Sequence, residues 1–229
     1  DYIAMGQVDP RRMRALVAGI VKGCRESGCA LVGGETAEMP GVYRNGEYDI
    51  AGFCVGVAER RRLIDGETVR AGDAIVGLAS SGVHANGFSL VRKVFGSADL
   101  KRWRRQLLTP TRIYVKPILT LLKRIPVTAI AHVTGGGLAR RLPSLAAKRK
   151  ELRVIWEPGR WTVPPIFGAI QRAGGISTDE MYRTFNMGVG MALSCRPQAA
   201  AAVVAALRRL GVAAWPIGTI QRSSRRFAA

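Results

Sequence analysis

The hydrophobic pattern opens on a helix. Met13, Leu16, Val17, Ile20, Val21 and Cys24 recur at the helical period and form one apolar stripe. Asp9 stands ahead of it as an N-cap, and Pro10 suits the first helical position, where its missing N–H costs nothing. Gly28 is a natural terminator. The apolar run 29–32 then predicts a buried strand, ending at Gly33-Gly34 and a polar loop over 35–41. From 48 to 58 the residues alternate. Phe53, Val55 and Val57 share one face while Cys54, Gly56 and Ala58 share the other, which predicts a strand packed closely against a helix or sheet. Residues 60–72 are charged and Gly-bearing with no period, and a domain junction is placed there.

A strand over 74–79 enters Ser80-Ser81-Gly82-Val83-His84-Ala85-Asn86-Gly87, and a helix follows through Val94. Residues 96–109 are basic and read as a loop. Residues 113–125 are helical by period, with Pro117 predicted to kink or split them. A strand over 127–133 enters Thr134-Gly135-Gly136-Gly137, and a short helix runs to 147. Further strands are predicted at 152–156, 187–195 and 212–220, and helices at 165–173 and 197–210. In the 187–195 strand, Val189, Met191 and Leu193 fall on one face, with Gly188 and Gly190 on the other. The tail from Gln221 is polar, basic and expected to fray. The fold class is therefore α/β, of the α+β type: two mixed-sheet domains flanked by helices, 1–65 and 70–229, the first incomplete.

The chain has 229 residues, a net charge of +19 and 48% hydrophobic residues. That composition supports a buried core and excludes a disordered basic tail. No apolar run is long enough to span a membrane. The opening Asp1-Tyr2-Ile3-Ala4-Met5-Gly6 lacks the features of a signal peptide and reads as the middle of an element, so further N-terminal material is expected. Cys24, Cys29, Cys54 and Cys195 form no metal-binding spacing and read as buried free thiols in a reducing cytosol. The charge admits nucleic acid, an anionic surface or an anionic substrate. Arginines spread from Arg11 to Arg226 with few aromatics among them, so no base-stacking platform, specific nucleic acid or membrane partner is expected.

Candidate chemistry sits in three glycine loops, each following a predicted strand: Gly33-Gly34-Glu35, 80–87 and Thr134-Gly135-Gly136-Gly137. Glycines let backbone approach a phosphate. None of the three matches a P-loop or a dinucleotide fingerprint, and a tight turn is the alternative for each. Glu35 and Glu38 offer hard oxygen ligands for Mg²⁺; solvated surface acids are the alternative. His84 and His132, the only histidines, each adjoin a glycine loop, and Asn86 adds a neutral polar group to the first of these. Arg183 and Asn186 precede the 187–195 strand, where Arg183 suits a phosphate, a carboxylate or a structural ion pair.

Several segments, in order along the chain, resemble one family. They are Val32-Gly33-Gly34-Glu35-Thr36-Ala37-Glu38-Met39-Pro40-Gly41, Asp49-Ile50-Ala51-Gly52-Phe53-Cys54-Val55-Gly56, Ser80-Ser81-Gly82 with His84 and Asn86-Gly87, Pro110-Thr111-Arg112-Ile113-Tyr114, Ala131-His132 with Thr134-Gly135-Gly136-Gly137, and Met181-Tyr182-Arg183-Thr184-Phe185-Asn186. Together they resemble the phosphoribosylformylglycinamidine cyclo-ligases, also called aminoimidazole ribonucleotide synthetases.

The resemblance implies a cytoplasmic homodimer of two α/β domains. It implies ATP-dependent cyclisation of formylglycinamidine ribonucleotide to aminoimidazole ribonucleotide, with release of ADP and phosphate, in purine biosynthesis. It further implies ATP and Mg²⁺ binding on the N-terminal, dimer-forming domain. Glu35 and Glu38 would hold the metal, with Glu35 and His84 catalytic. Asp1, Gly33, Gly34, Asn86, Thr134, Gly135, Gly136, Gly137, Arg183 and Asn186 would contact ATP or substrate. Two departures stand out: family members carry a glycine-rich segment ahead of the position of Asp1, and residues 96–109 are shorter and more basic than usual. An inactive fragment and a basic nucleic-acid-binding protein are the competing readings.

Overall fold

A computed structural model describes residues 1–223, and the chain divides into two separately packed units, one of Asp1–Leu63 and one from Ile64 onward. The first unit contains strand β1 (Tyr2–Met5), helix α1 (Pro10–Ser27), strand β2 (Glu35–Glu38) and strand β3 (Tyr48–Ala51). Its sheet has the order β2-β1-β3, with β1 parallel to β2 and antiparallel to β3. Helix α1 starts and stops where its local signals place it. Asp9 Oδ1 accepts the N–H groups of Arg11 and Arg12 at 2.9 and 3.3 Å, and Gly28 ends the helix in the left-handed region at φ 78°. Eighteen helical residues span about 27 Å, while a four-residue strand spans about 13 Å. The helix is longer than its sheet, so Ile3 and Met5 beneath it are buried while the α1 stripe is at most half-buried.

Two strand expectations are corrected here. Segment 29–32 forms no strand, and the expected loop at 35–38 is β2 instead. Strand β3 ends at Ala51 rather than running to 58. The cause is pairing: β1 carries the ladder only from Tyr2 to Met5, whose partners are Glu35–Glu38 and Tyr48–Ala51. Outside that ladder the apolar residues stand open, with Phe53 91% exposed and Val32 and Val55 each 95%.

The second unit runs β4 (Ala74–Ala79), α2 (Phe88–Val94), α3 (Ser97–Leu107), α4 (Val115–Leu122), β5 (Ala129–His132), α5 (Gly137–Arg141), β6 (Leu152–Trp156), α6 (Pro165–Gly174), α7 (Thr178–Thr184), β7 (Val189–Cys195), α8 (Ala200–Arg209) and β8 (Ala214–Arg222). Its five strands lie in the order β5-β7-β4-β8-β6, and every pair is antiparallel. Strand β4 is central and apolar on both faces, as a doubly covered strand must be. Ile75 packs with Leu138, Leu142, Leu145 and Trp161 on one face. Val76 and Leu78 pack with Ile118 and Leu121 of α4 and Val203 and Leu207 of α8 on the other. A third core joins α2, α3, α6 and α7 through Val91, Leu107, Phe167, Ile170, Met181 and Phe185.

Several local expectations are revised. Residues 97–107 are a helix, whose Trp103 and Leu107 pack inward at helical spacing beneath the basic surface. Pro117 causes no kink, since it lies in the first turn of α4, where no intrahelical N–H bond is lost. Strand β7 carries a bulge at Gly190: Leu78 pairs with Met191 but Ala79 with Val189, so Val189 joins the opposite core from Met191 and Leu193. Strand β8 continues through Gln221 to Arg222, held by β6; the rest of the expected frayed tail, 224–229, lies outside the described residues. No helix among the described residues is long and apolar enough to cross a membrane.

Phe185 is fully buried, with its ring 5.9 Å from that of Phe167. Phe185→Ala is expected to lower unfolding free energy by about 3–5 kcal/mol in a urea titration. Leu108→Ala, at a residue 68% exposed, is expected to change it by no more than about 0.5 kcal/mol.

Candidate functional site

In the first unit the strand geometry decides what the two glutamates can do together. Side chains alternate along β2, so Glu35 and Glu38, three positions apart, project to opposite faces. Thr36 and Glu38 share the face that α1 covers: Thr36 reaches Met13, and Glu38 Oε1 accepts the N–H of Val8 at 2.7 Å, just ahead of the helix. Glu35 lies on the open face. The two carboxylates are not brought together, and no group of three or more His, Cys, Asp or Glu side chains able to hold a metal occurs among the described residues.

Asp1, Gly33, Gly34 and Glu35 do come together. The Asp1 nitrogen donates to the Gly33 carbonyl at 3.1 Å, and the Asp1 carbonyl accepts the Glu35 N–H at 2.9 Å. Gly34 is required here, because a Cβ would lie 2.5 Å from the Asp1 carbonyl oxygen. Sequence reasoning left out Asp49, which shares the face of Glu35 through the register Ala4↔Ala37 and Ala4↔Asp49. It stands two strands across and two residues along, about 12 Å away at ordinary sheet spacings, too far for one shared ion. The alternation of Tyr48-Asp49-Ile50-Ala51 was the available signal, but its face could be read only against a known register.

In the second unit three predicted segments converge. Gly137, at φ 60°, sits so close to 182–185 that a Cβ would collide with the Tyr182 and Phe185 carbonyls, and the Phe185 carbonyl accepts the Leu138 N–H at 3.1 Å. Asn86 lies beside Gly135, where a Cβ would be 3.8 Å from its Oδ1. Thr134 closes the turn by accepting the Gly137 N–H at 3.1 Å. The stem of Arg140 lies over Gly136, which is at φ 91°, and Arg141 Nε donates to the Gly135 carbonyl at 2.9 Å. Gly136, Ala139, Arg140, Glu180 and Arg183 line an open hollow of about 650 Å³. Arg140 and Arg183 are exposed there with no carboxylate partner within ion-pair distance among the described residues. That arrangement suits an anion able to accept two guanidinium groups. Arg140 was not singled out from the sequence; its place one turn after the glycine loop was the signal.

Asn186 and His84 occupy the interior. Asn186 is 4% exposed; its amide nitrogen donates to the Gly82 and Val83 carbonyls at 2.9 and 3.2 Å, and its oxygen accepts the Gly188 N–H at 2.8 Å. His84 is 5% exposed at φ 60°, unusual for a residue with a side chain. Its Nε2 accepts the backbone N–H of Ser81 at 3.1 Å and of Arg112 at 3.5 Å, which assigns the proton to Nδ1, a buried donor without a partner. Desolvation pushes its pKa down to about 4, and His132 and Arg112 act in the same direction. The Tyr114 ring lies edge-on to His84 and His132, at 6.4 and 6.2 Å, and its hydroxyl donates to the Ala79 carbonyl at 2.8 Å.

Residues 1–58 match the model for the N-terminal domain of AIR synthase related proteins, and residues 70–228 match the model for the C-terminal domain. The phosphoribosylformylglycinamidine cyclo-ligase of Brevibacillus brevis is 48% identical over 99% of this chain and 68% of its own length. That of Syntrophus aciditrophicus is 47% identical over 97% of this chain and 67% of its own. The chain thus spans about two thirds of these relatives. The crystal structure of the hydrogenase maturation protein HypE in complex with ATP shares the fold, with a TM-score of 0.65 and 18% identity over 97% of this chain and 65% of that one. With both units matched and near-half identity along almost its whole length, the chain belongs to the AIR synthase family of phosphoribosylformylglycinamidine cyclo-ligases.

Proposed function

We propose that this chain serves the ATP-dependent cyclisation of formylglycinamidine ribonucleotide to aminoimidazole ribonucleotide, with release of ADP and phosphate. The observation that carries the reading is the pair Arg140 and Arg183, exposed over a glycine loop in a chain of this family. Phosphoryl transfer to the formyl oxygen followed by ring closure asks the protein for positioning and charge neutralisation rather than a covalent nucleophile. Arg140 and Arg183 neutralise an anionic group of the ribonucleotide, and Thr134 to Gly137 give it backbone it can approach. Asn86 faces the same loop. Asn186 and His84 shape the 80–87 segment from beneath; His84 is neutral at physiological pH with Nε2 committed to backbone, so positioning suits it better than proton transfer.

Glu35 is the carboxylate of the first unit that fits Mg²⁺, because an ion of this kind takes one or two carboxylates plus ligand phosphates. Glu38 is committed to Val8 on the other face and serves the fold. When bound, the ion shares the charge of the ATP phosphates. Asp1, Gly33 and Gly34 hold the backbone that presents Glu35. Homodimer formation is part of the same proposal, supported by the open apolar side chains of Phe53, Val55 and Val57, and so is a cytoplasmic location.

Glu35→Gln is expected to lower ribonucleotide-dependent ADP release roughly a hundredfold with the circular dichroism spectrum unchanged; undiminished release would remove Glu35 from the site. Arg183→Ala is expected to raise the KM for the ribonucleotide by roughly tenfold or more, the loss of one charge-assisted contact, with a smaller effect on the KM for ATP. His84 gives a pH test. Its folded pKa lies below its ordinary value of 6.5, so the unfolded chain binds more protons between 6.5 and about 4, and stability falls as pH drops through that window. His84→Gln is expected to flatten that part of the stability profile, measured by denaturant midpoints from pH 7 to pH 4.

A further inference from the structure

The C-terminus of α1 brings two cysteines to one place. The Gly28 and Cys29 N–H groups both donate to the Cys24 carbonyl, at 2.8 and 3.0 Å, with Gly28 in the left-handed region. The bond from Cys29, the second residue past the end of α1, back to Cys24, the fourth residue inside it, is the six-to-one bond of a Schellman-type cap, whose two end residues commonly touch through their side chains. Here the two residues are Cys29 and Cys24. With 3.0 Å between N and O, backbone dimensions limit their Cα separation to about 7 Å or less, the range in which cysteines can be bridged. Ser27 Oγ lies 3.1 Å from Cys29 Sγ while bonding to the Gly23 and Cys24 carbonyls at 2.8 and 3.1 Å.

Access is available on the described unit. The expected burial of the thiols holds only for Cys195: Cys29 and Cys54 are exposed and Cys24 half-buried, all are free, and Cys24, Cys29 and Cys54 line an open hollow of about 900 Å³. The Ser27 hydroxyl, and then Cys24, hold the Cys29 thiol below its ordinary range, while burial and Cys29 itself push Cys24 up. Cys29 is therefore the readier thiolate and Cys24 the resolving thiol. With only two or three sulfurs and no further donor, the cluster does not make a metal site among the described residues.

We propose that Cys24 and Cys29 are an oxidisable dithiol that hydrogen peroxide closes to an intrachain disulfide. The Cys29 thiolate attacks one peroxide oxygen, the O–O bond breaks, and the departing hydroxide takes a proton to leave as water. Cys24, giving up its proton, then attacks the sulfur of the Cys29 sulfenic acid. The S–O bond breaks, the S–S bond forms, and a second water leaves. Two thiols thus lose two electrons to one peroxide. A small dithiol reductant reverses the closure by thiol–disulfide exchange.

The test treats the protein with hydrogen peroxide, blocks remaining thiols with N-ethylmaleimide, and maps tryptic peptides by mass spectrometry. Cleavage at Arg25 separates the two cysteines, so the bridge reads as a covalent link between their peptides. The expected result is a Cys24–Cys29 link that dithiothreitol removes, that persists in Cys54→Ser, and that is absent from Cys24→Ser and Cys29→Ser. In Cys24→Ser, dimedone is expected to trap a sulfenic acid at Cys29. Circular dichroism of each variant separates loss of the bridge from loss of the fold. Linkage of either residue to Cys54 instead, accumulation of sulfinic acid at Cys29 with Cys24 present, or full alkylation of both thiols after peroxide would each overturn the proposal.

Discussion

The second unit hangs on the way one buried amide is used. Asn186 spends both donors on the Gly82 and Val83 carbonyls and its oxygen on the Gly188 N–H. An apolar replacement would leave three backbone groups without partners, each costing about 1–3 kcal/mol where water cannot reach. That cost is what fixes the 80–84 backbone, including a non-glycine residue at φ 60°. Tyr114 secures the same segment from its other end through Ala79. Once it is fixed, Asn86 meets Gly135, and 182–185 closes over Gly137. The glycines of this region answer close approach more than flexibility: at Gly190 a Cβ would run into the Tyr114 hydroxyl and His84.

The charge of the chain divides into two parts once the structure is known. A small part is structural. Arg196 donates to Asp73, which is 1% exposed and also bonds Thr128 and the Arg70 N–H, so a buried carboxylate is fully paired. Much of the rest lies on open surface. Lys101, Arg102 and Arg105 are exposed on α3. Arg140 and Arg183 are the exception, because the backbone beneath them is pinned. A net charge of +19 therefore says less about function than where two guanidinium groups are held.

What could be read from the sequence was local. Helix α1 was legible because its capping residue, its opening proline and its closing glycine all lie within one segment. Strands β4 and β6 were legible as short apolar runs. Strand β2 was not, since Cys29-Ala30-Leu31-Val32 is the more apolar run and only pairing with β1 selects Glu35–Glu38 instead. Once 35–38 is a strand, side-chain alternation sends Glu35 and Glu38 to opposite faces, which a loop reading cannot reach. Helix α3 was hidden by its arginines, although Leu100, Trp103 and Leu107 keep helical spacing. The candidate residues stand out in the sequence because they flank glycine turns. Their division into exposed groups, such as Arg183, and interior ones, such as Asn186 and His84, depends on contacts between residues about a hundred positions apart, and no spacing rule reports it.

The fate of the formyl oxygen tests the central reading most directly. With the formyl oxygen of the ribonucleotide labelled with ¹⁸O, ring closure through phosphorylation of that oxygen transfers the label to inorganic phosphate. The account expects one labelled oxygen per phosphate released, in step with ADP. Label appearing in water, with unlabelled phosphate, would contradict it.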